Sequence, residues 1–146
     1  MANSFYFNSS GLNYAIGHFL VFEDNIVIVS PWLSDIEINL PMTDGSGSSN
    51  TRLSDIINQN KHKIVSVIVS NDRHNDYIIS KLDKSIKIVR IGNLHAKVIV
   101  SDRTVYMGSA NITLSGTTKN AEICQLSKND LGSSRKFVEE RLGIRF

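Results

Sequence analysis

A histidine and a lysine lie two residues apart in the segment NLHAKVIVSDRTVYMGSAN, residues 93–111. The apolar run around them is rich in β-branched residues, which predicts a strand. Side chains two apart in a strand share a face, so we expect His95 and Lys97 to point the same way. The same holds for Ser109 and Asn111 if the second strand stays extended. These residue types on one surface could act on a phosphodiester.

Each of these side chains has a chemical role on such a substrate. Lys97 would place a positive charge near the non-bridging oxygens, and Ser109 and Asn111 would donate directed hydrogen bonds to them. His95 would act as a nucleophile on phosphorus or as a general acid. Glu122 would accept a proton from one ring nitrogen and aim the other at the substrate. No carboxylate cluster suggests a Mg²⁺ site, so we expect metal-independent chemistry without a cofactor.

Three further residues, of which two lie in this segment and one follows it, are expected to shape the site. Asp102 has the opposite parity to His95 and lies where the hairpin must turn, so we expect it to accept hydrogen bonds from the turn. Gly108 would let the backbone approach a phosphate closely. Asn120 would share a strand face with Glu122.

The other candidate residues are less specific. Trp32 follows a buried strand, so it would either stack on a base or line the cleft, or be an ordinary core tryptophan. Arg103 and Lys119 lie nearest the motif residues in sequence and are candidates for contacts to backbone phosphates. His74 is expected to be a solvated residue, and Cys124 a small buried hydrophobe.

Hydrophobic periodicity predicts an α/β fold. We expect strands and helices to alternate through the first two thirds of the chain, which favours a mixed, largely parallel sheet flanked by helices on both faces. The predicted strands are residues 25–30, 35–40, 63–70, 86–91, 95–101, 105–109 and 120–127. The predicted helices are residues 11–22, 51–60, 74–85 and 130–144, with Ser10 and Thr51 as caps of the first two. Residues 41–51, rich in Gly and Ser, are predicted to be a mobile loop.

Composition narrows the class of protein. The chain has 146 residues, of which 41% are hydrophobic and 21% charged, and a formal net charge of +2. These values favour one globular domain over residues 1–146, and the mildly basic balance permits a polyanionic partner. The single cysteine excludes an internal disulfide, and no Cys/His cluster suggests zinc. Without a signal peptide or a long apolar run, we expect a cytoplasmic protein.

The motif HAKVIVSD…GSAN resembles the HxKxxxxD…GSxN signature of the phospholipase D superfamily, and NAE at residues 120–122 resembles the Asn-x-Glu segment that follows in many members. The resemblance implies the phospholipase D-like fold and a two-step transfer through a phosphohistidine. One departure concerns spacing, because five residues, 103–107, separate Asp102 from Gly108 where the family commonly has six. The connecting turn must therefore be tighter.

The resemblance also implies that two histidines from two motifs build one active site. This chain has one such motif, so we expect a twofold homodimer that brings two His95 side chains together. A short single-motif chain resembles the endonuclease branch of the superfamily. We therefore expect a nuclease that acts on DNA more readily than on RNA. By analogy with that branch, its partners could be subunits of a restriction or defence system. The alternatives are hydrolysis of phospholipid or another small phosphodiester, and a nucleic-acid-binding subunit without turnover.

Overall fold

Apolar β-branched runs form the central strands of the protein, which is seen here in a computed structural model. The structure describes residues 4–41 and 48–146. The strands are β1 (Ser4–Asn8), β2 (Ile26–Val29), β3 (Glu37–Pro41), β4 (Ser48–Arg52), β5 (Ile64–Val69), β6 (Ile88–Arg90), β7 (Val98–Val100), β8 (Thr104–Gly108) and β9 (Ile123–Lys128). The helices are α1 (Ser9–Phe22), α2 (Leu53–Gln59), α3 (Asp76–Lys81) and α4 (Ser134–Leu142).

Seven of these strands form one mixed sheet in the order β1-β9-β8-β7-β2-β5-β6. The pairs β2–β5 and β5–β6 are parallel, whereas β2–β7, β7–β8, β8–β9 and β9–β1 are antiparallel. The predicted α/β class and mixed sheet are confirmed. The parallel part is smaller than expected, because the crossovers through α2 and α3 link only β2, β5 and β6, and the later strands return as hairpins.

Two apolar cores cover the two faces of the sheet, as predicted. On one face the buried side chains of α1, α2 and α3 pack on the sheet, with Phe19 and Ile57 among those almost fully buried. On the other face Phe137 and Val138 of α4 pack on β2, β5, β7 and β8. Burial of these side chains supplies the main driving force for the fold.

Several boundaries differ from the prediction. His95 and Lys97 precede β7 instead of lying in it, because only residues 98–100 pair with both β2 and β8. Residues 48–51 were expected in a loop and Arg52 in the following helix, but together they form β4, which pairs with β3 in a separate two-stranded hairpin. The rest of the predicted loop, residues 42–47, lies outside the described residues.

Two elements have no counterpart in the prediction. The sequence before α1 forms β1, an edge strand paired with β9. Residues Ser115–Lys119 form a turn of π-helix between β8 and β9. The helix caps also shift, since α1 is capped by Asn8, whose side chain accepts a hydrogen bond from the Ser10 amide, and Arg52 precedes α2.

Candidate active site

His95 and Lys97 lie in the short segment that leads into β7, at one end of the β7–β8 hairpin. The Lys97 ammonium donates a hydrogen bond to the His95 carbonyl oxygen at 3.0 Å, and the Gly108 amide donates to the Lys97 carbonyl at 3.3 Å. The His95 side chain is exposed and Lys97 is half-buried. Both line an open cleft of about 580 Å³ that also includes Gly108 and Ser109. The predicted proximity of His95, Lys97 and Ser109 is therefore reached through neighbouring segments instead of one strand face.

Ser109 is tied to the start of β9. Its amide donates to the Ile123 carbonyl at 3.0 Å, and its hydroxyl accepts from the Ile123 amide at 3.1 Å. The hydroxyl also donates to a carboxylate oxygen of Glu122 at 2.5 Å. Within the part of the chain that the structure describes, Glu122 thus pairs with Ser109 and makes no hydrogen bond to His95. The predicted Glu122–His95 contact is not formed inside one chain.

Asn111 lies beyond the end of β8 and faces a different partner from Ser109. Its side-chain oxygen accepts a hydrogen bond from the Trp32 amide at 3.2 Å. The segment is held in place next to it, because Leu33 and Ile112 form an isolated parallel bridge. An oxygen that accepts from Trp32 leaves the amide nitrogen of Asn111 as the end that can donate to a substrate.

Gly108 is required by the sheet itself. A Cβ at this position would lie 2.6 Å from the Ile123 carbonyl oxygen and 3.0 Å from the Tyr106 hydroxyl. Real Cβ atoms do not approach a backbone oxygen so closely, so glycine here lets β8 pack against β9. Gly108 thus has a packing role, and approach of a phosphate at this position stays a prediction.

A buried polar pair lies beneath Gly108. The Tyr106 hydroxyl donates to the Cys124 sulfur at 3.7 Å. Burial raises the pKa of Tyr106 well above its usual range, and burial also raises the pKa of the Cys124 thiol. Both groups therefore stay neutral at physiological pH, and Cys124 is the buried residue that the sequence predicts.

Asp102 lies at the opposite end of the hairpin from His95. Its carboxylate accepts hydrogen bonds from the Asn25 side chain at 2.6 Å and from the Ser134 amide, at the first turn of α4, at 2.9 Å. The Arg103 and Thr104 amides of the turn instead donate hydrogen bonds to the Ser101 hydroxyl. Asp102 thus fastens the hairpin to α4, and the expectation that it accepts from its own turn is wrong.

Arg103 is also far from His95 along the hairpin. Its guanidinium forms an ion pair with Glu23 at 2.7 Å and contacts the Phe22 carbonyl at 3.3 Å. Burial alone would raise the pKa of Glu23, but the hydrogen bonds from Ser101 and Thr104 and the charge of Arg103 lower it. The predicted phosphate contact of Arg103 therefore does not fit this position, and its role is in the ion pair.

Lys119 and Asn120 lie at the end of the π-helical turn, and both are exposed. The Asn120 amide donates to the Ser115 carbonyl at 2.8 Å. Since β9 begins at Ile123, Asn120 and Glu122 do not share a strand face as predicted. Nothing in their contacts assigns a substrate role to Lys119.

Trp32 has a partner that the sequence did not reveal. Its ring stacks on the His74 ring with centroids 5.0 Å apart and an interplanar angle of 17°. His74 is exposed, as expected, but it also stacks on Trp32. The two lie 42 positions apart in sequence, in loops that follow β2 and β5. Only the topology of parallel strands, whose carboxyl ends meet at one edge, could have pointed to this pair.

Comparison with known families decides the classification. A family model described as "Cardiolipin synthase, PLD-like domain" matches residues 23–140, which include the whole motif. The chain belongs to this phospholipase D-like family. It is therefore a phosphodiesterase of the phospholipase D superfamily, as the resemblance of the motif implies.

Solved structures show the same fold. The phospholipase D family member Nuc from Salmonella typhimurium matches with a TM-score of 0.65 and 16% identity, over 98% of this chain and 92% of that one. NucT from Helicobacter pylori matches with a TM-score of 0.60 and 17% identity, over 88% and 87%. Phosphatidylserine synthase from Haemophilus influenzae matches with a TM-score of 0.53 and 15% identity, over 97% and 38%. No curated protein matches the chain.

A short turn joins the two motif strands of the phospholipase D-like domain. Residues 101–103 connect β7 to β8, and the Ser101 amide donates to the Thr104 carbonyl at 2.9 Å across the turn. At the other end of the hairpin the Gly108 amide donates to the Lys97 carbonyl. The turn is therefore tight, as the spacing of the motif predicts.

In residues 4–41 and 48–146, no group of three or more His, Cys, Asp or Glu side chains is arranged to hold a metal ion. In the same residues, no helix has the length and apolar character needed to span a membrane.

Proposed function

We propose that this chain hydrolyses nucleic acid, with DNA as the preferred substrate, through a phosphohistidine formed at His95 in an active site shared by two copies of the chain. The observation that carries the proposal is the exposed His95 ring in the cleft that also contains Lys97 and Ser109. The chemistry follows from these groups and needs no metal ion.

In the proposed first step, a ring nitrogen of His95 attacks phosphorus and forms a P–N bond while the bond to the leaving oxygen breaks. The partner's His95 gives its proton to that oxygen. In the second step water attacks phosphorus, the partner's His95 takes a proton from the water, and the P–N bond breaks. Lys97 and the amide nitrogen of Asn111 stabilise the charge that develops on the non-bridging oxygens.

An apolar surface beside His95 supports the shared site. Tyr6, Gln125, Met107 and Val98 lie in register across β1, β9, β8 and β7. Of the residues that line the cleft, the apolar side chains of Tyr6, Ile123 and Met107 are 67%, 62% and 37% exposed. A group of exposed apolar side chains is a feature of interaction surfaces. A second copy seated on this surface would bring its own His95 to the same cleft.

Nuclease chemistry is favoured by the solved structures that cover nearly the whole chain, since one is a phospholipase D family member named Nuc. A second candidate is a phosphodiester of lipid origin. It is favoured by the apolar lining of the cleft, where Met107, Ile123, Phe137 and Leu142 lie beside His95. The "Cardiolipin synthase" in the family description is compatible with this candidate. A third candidate is a subunit that binds nucleic acid without turnover.

The test is a cleavage assay in EDTA with single-stranded DNA, plasmid DNA, RNA and phosphatidylglycerol vesicles. We expect DNA cleavage by the wild type, and a loss on the order of 10³-fold for His95→Ala. The matched control is His62→Ala, which replaces an exposed histidine of another segment and should keep full activity. Cleavage of lipid alone would support the second candidate, and binding of DNA without any cleavage would support the third.

A further inference from the structure

We infer that the Trp32 ring is a stacking platform for an unpaired nucleobase next to the scissile phosphate, which makes single-stranded nucleic acid the substrate class. This inference rests on the proposed nuclease function and deepens it. It starts from an aromatic ring that is held rigidly although it is not buried.

Trp32 is 46% exposed, and one side of its ring is occupied by His74. Large aromatic side chains usually lie in a core or at an interface, because their apolar area is costly to leave in water. The stacked His74 fixes the plane of the Trp32 ring and leaves ring surface open to solvent. A flat, open, oriented aromatic surface is what a base needs for stacking.

The platform is pinned from behind by His74. A His74 ring nitrogen forms a hydrogen bond with the Ser34 hydroxyl at 2.7 Å. The His74 amide donates to the Asp72 carboxylate at 2.8 Å, which caps the short 3₁₀ turn Arg73–Asn75. The ring that supports Trp32 is thus itself fixed through its side chain and through its backbone.

The loop that carries Trp32 is fixed as well. The Ser30 hydroxyl donates to the Trp32 carbonyl at 2.6 Å. The fully buried Asn75 side chain accepts from the Leu33 amide and donates to the Pro31 carbonyl, each at 2.8 Å. These bonds surround Trp32 on both sides in sequence. Its conformation is therefore set before any ligand arrives, which reduces the entropy lost on binding.

One hydrogen bond connects the platform to the site of chemistry. The Trp32 amide donates to the side-chain oxygen of Asn111, so the amide nitrogen of Asn111 is the end that is left to donate to a phosphate. A phosphate bound by Asn111 would therefore have Trp32 as its neighbour. The base of an adjoining nucleotide is the planar group of a substrate that lies within reach of such a ring.

This arrangement selects for single strands. In a duplex the faces of each base are covered by its neighbours, so a protein ring reaches a base face only after unstacking, which costs a few kcal/mol. A base in a single strand presents its face freely. Stacking also tolerates any base, so we expect little sequence preference.

Intrinsic fluorescence offers a direct test, because Trp32 is the sole tryptophan of the chain. The His95→Ala protein in EDTA should leave an added oligonucleotide uncleaved. We expect single-stranded oligonucleotide to quench Trp32 emission in a saturable manner. Duplex of the same sequence should bind with an affinity at least about tenfold lower. In a series of oligonucleotides that each carry one abasic site, the affinity should fall only when the abasic site occupies one particular position.

Variants of Trp32 in the His95→Ala protein complete the test. Affinities of the variants are measured by the anisotropy of a labelled oligonucleotide, because Trp32→Ala and Trp32→Phe contain no tryptophan. Trp32→Ala should lower affinity for the single strand about tenfold and abolish the effect of the abasic position, whereas Trp32→Phe should keep most of the affinity. The matched control is Phe22→Ala, since Phe22 is also 46% exposed but lies at the other end of the sheet, where its carbonyl contacts Arg103. It should bind like its parent.

The outcomes separate the two proposals. Equal binding of single strand and duplex, with no loss in Trp32→Ala, would overturn the inference even if the wild type cleaves DNA. Emission that responds to protein concentration but not to oligonucleotide would also overturn it, because Trp32 would then lie between subunits. Base-dependent quenching without cleavage by the wild type would support the platform and refute the nuclease.

Discussion

His95 and Ser109 illustrate how the site is built at the scale of single residues. His95 is exposed and carries no hydrogen bond to Glu122, whereas Ser109 and Glu122 form a short bond across the start of β9. The carboxylate is thus committed to Ser109 within one chain. Its role would be to fix the Ser109 hydroxyl and to carry negative charge at the edge of the cleft.

This pairing leads to a first prediction. Ser109→Ala should lower kcat/KM on an oligonucleotide about tenfold to a hundredfold, because it removes both a donor and the partner of Glu122. Glu122→Gln should have a similar effect. If the two residues act as one unit, the double variant should be no worse than either single variant.

Melting temperatures show whether a loss of activity comes from a loss of stability. Ser127→Ala, a β9 variant distant from the cleft, is the control for kcat/KM. The prediction would fail if the two losses multiplied in the double variant, or if Ser127→Ala lost as much activity.

At the scale of elements, the sequence predicted most of the buried strands and helices, because those signals are local. The runs that became β2 and β5 are continuous and apolar, and α1 and α4 show periodic apolar residues. The β4 strand was missed because its Ser, Asn and Thr residues resemble a loop, and only pairing with β3 makes it a strand. His95, Lys97 and Ser109 line one cleft, but the partners of the motif residues, such as Glu122 for Ser109, come from long-range pairing that no local pattern contains.

The close packing of β8 on β9 gives a second prediction. Gly108→Ala should lower the free energy of unfolding by about 2–3 kcal/mol, because the new Cβ would meet the Ile123 carbonyl oxygen in the backbone of a central strand. Gly92→Ala is the matched control, since its Cβ would lie 3.1 Å from the side chain of Asn71, which can move.

Urea unfolding at pH 7 measures both glycine variants. Equal stability of Gly108→Ala and the wild type would show that the two strands are not packed as described.

The buried carboxylate of Glu23 gives a third prediction. Its pKa is lowered in the folded state, so it contributes stability above its ordinary pKa of 4.5, and that contribution is lost as the pH falls through the lower folded value. Glu23→Gln should cost about 1–3 kcal/mol at pH 7, because it weakens the bonds to Ser101 and Arg103.

The difference between Glu23→Gln and the wild type should shrink when urea unfolding is repeated at successively lower pH below 4.5. A constant difference across that range would contradict the assignment.

At the scale of the whole molecule, the cleft beside His95 is open and its lining includes exposed apolar side chains. These are Tyr6, Met107 and Ile123. One copy of the chain supplies one motif histidine, whereas the proposed mechanism uses two. The prediction of a single domain over residues 1–146 remains a prediction, as does the twofold dimer that would complete the site.

The central claim is that both histidines of one active site are His95, from two copies of the chain. The most direct measurement is the DNA-cleaving activity of wild-type and His95→Ala chains unfolded together, mixed at varied ratios and refolded at constant total concentration. If each site needs two intact copies, activity falls as the square of the wild-type fraction, to about a quarter at equal mixing under random pairing. Activity that falls in proportion, to about a half, would contradict the shared site and place the whole reaction within one chain.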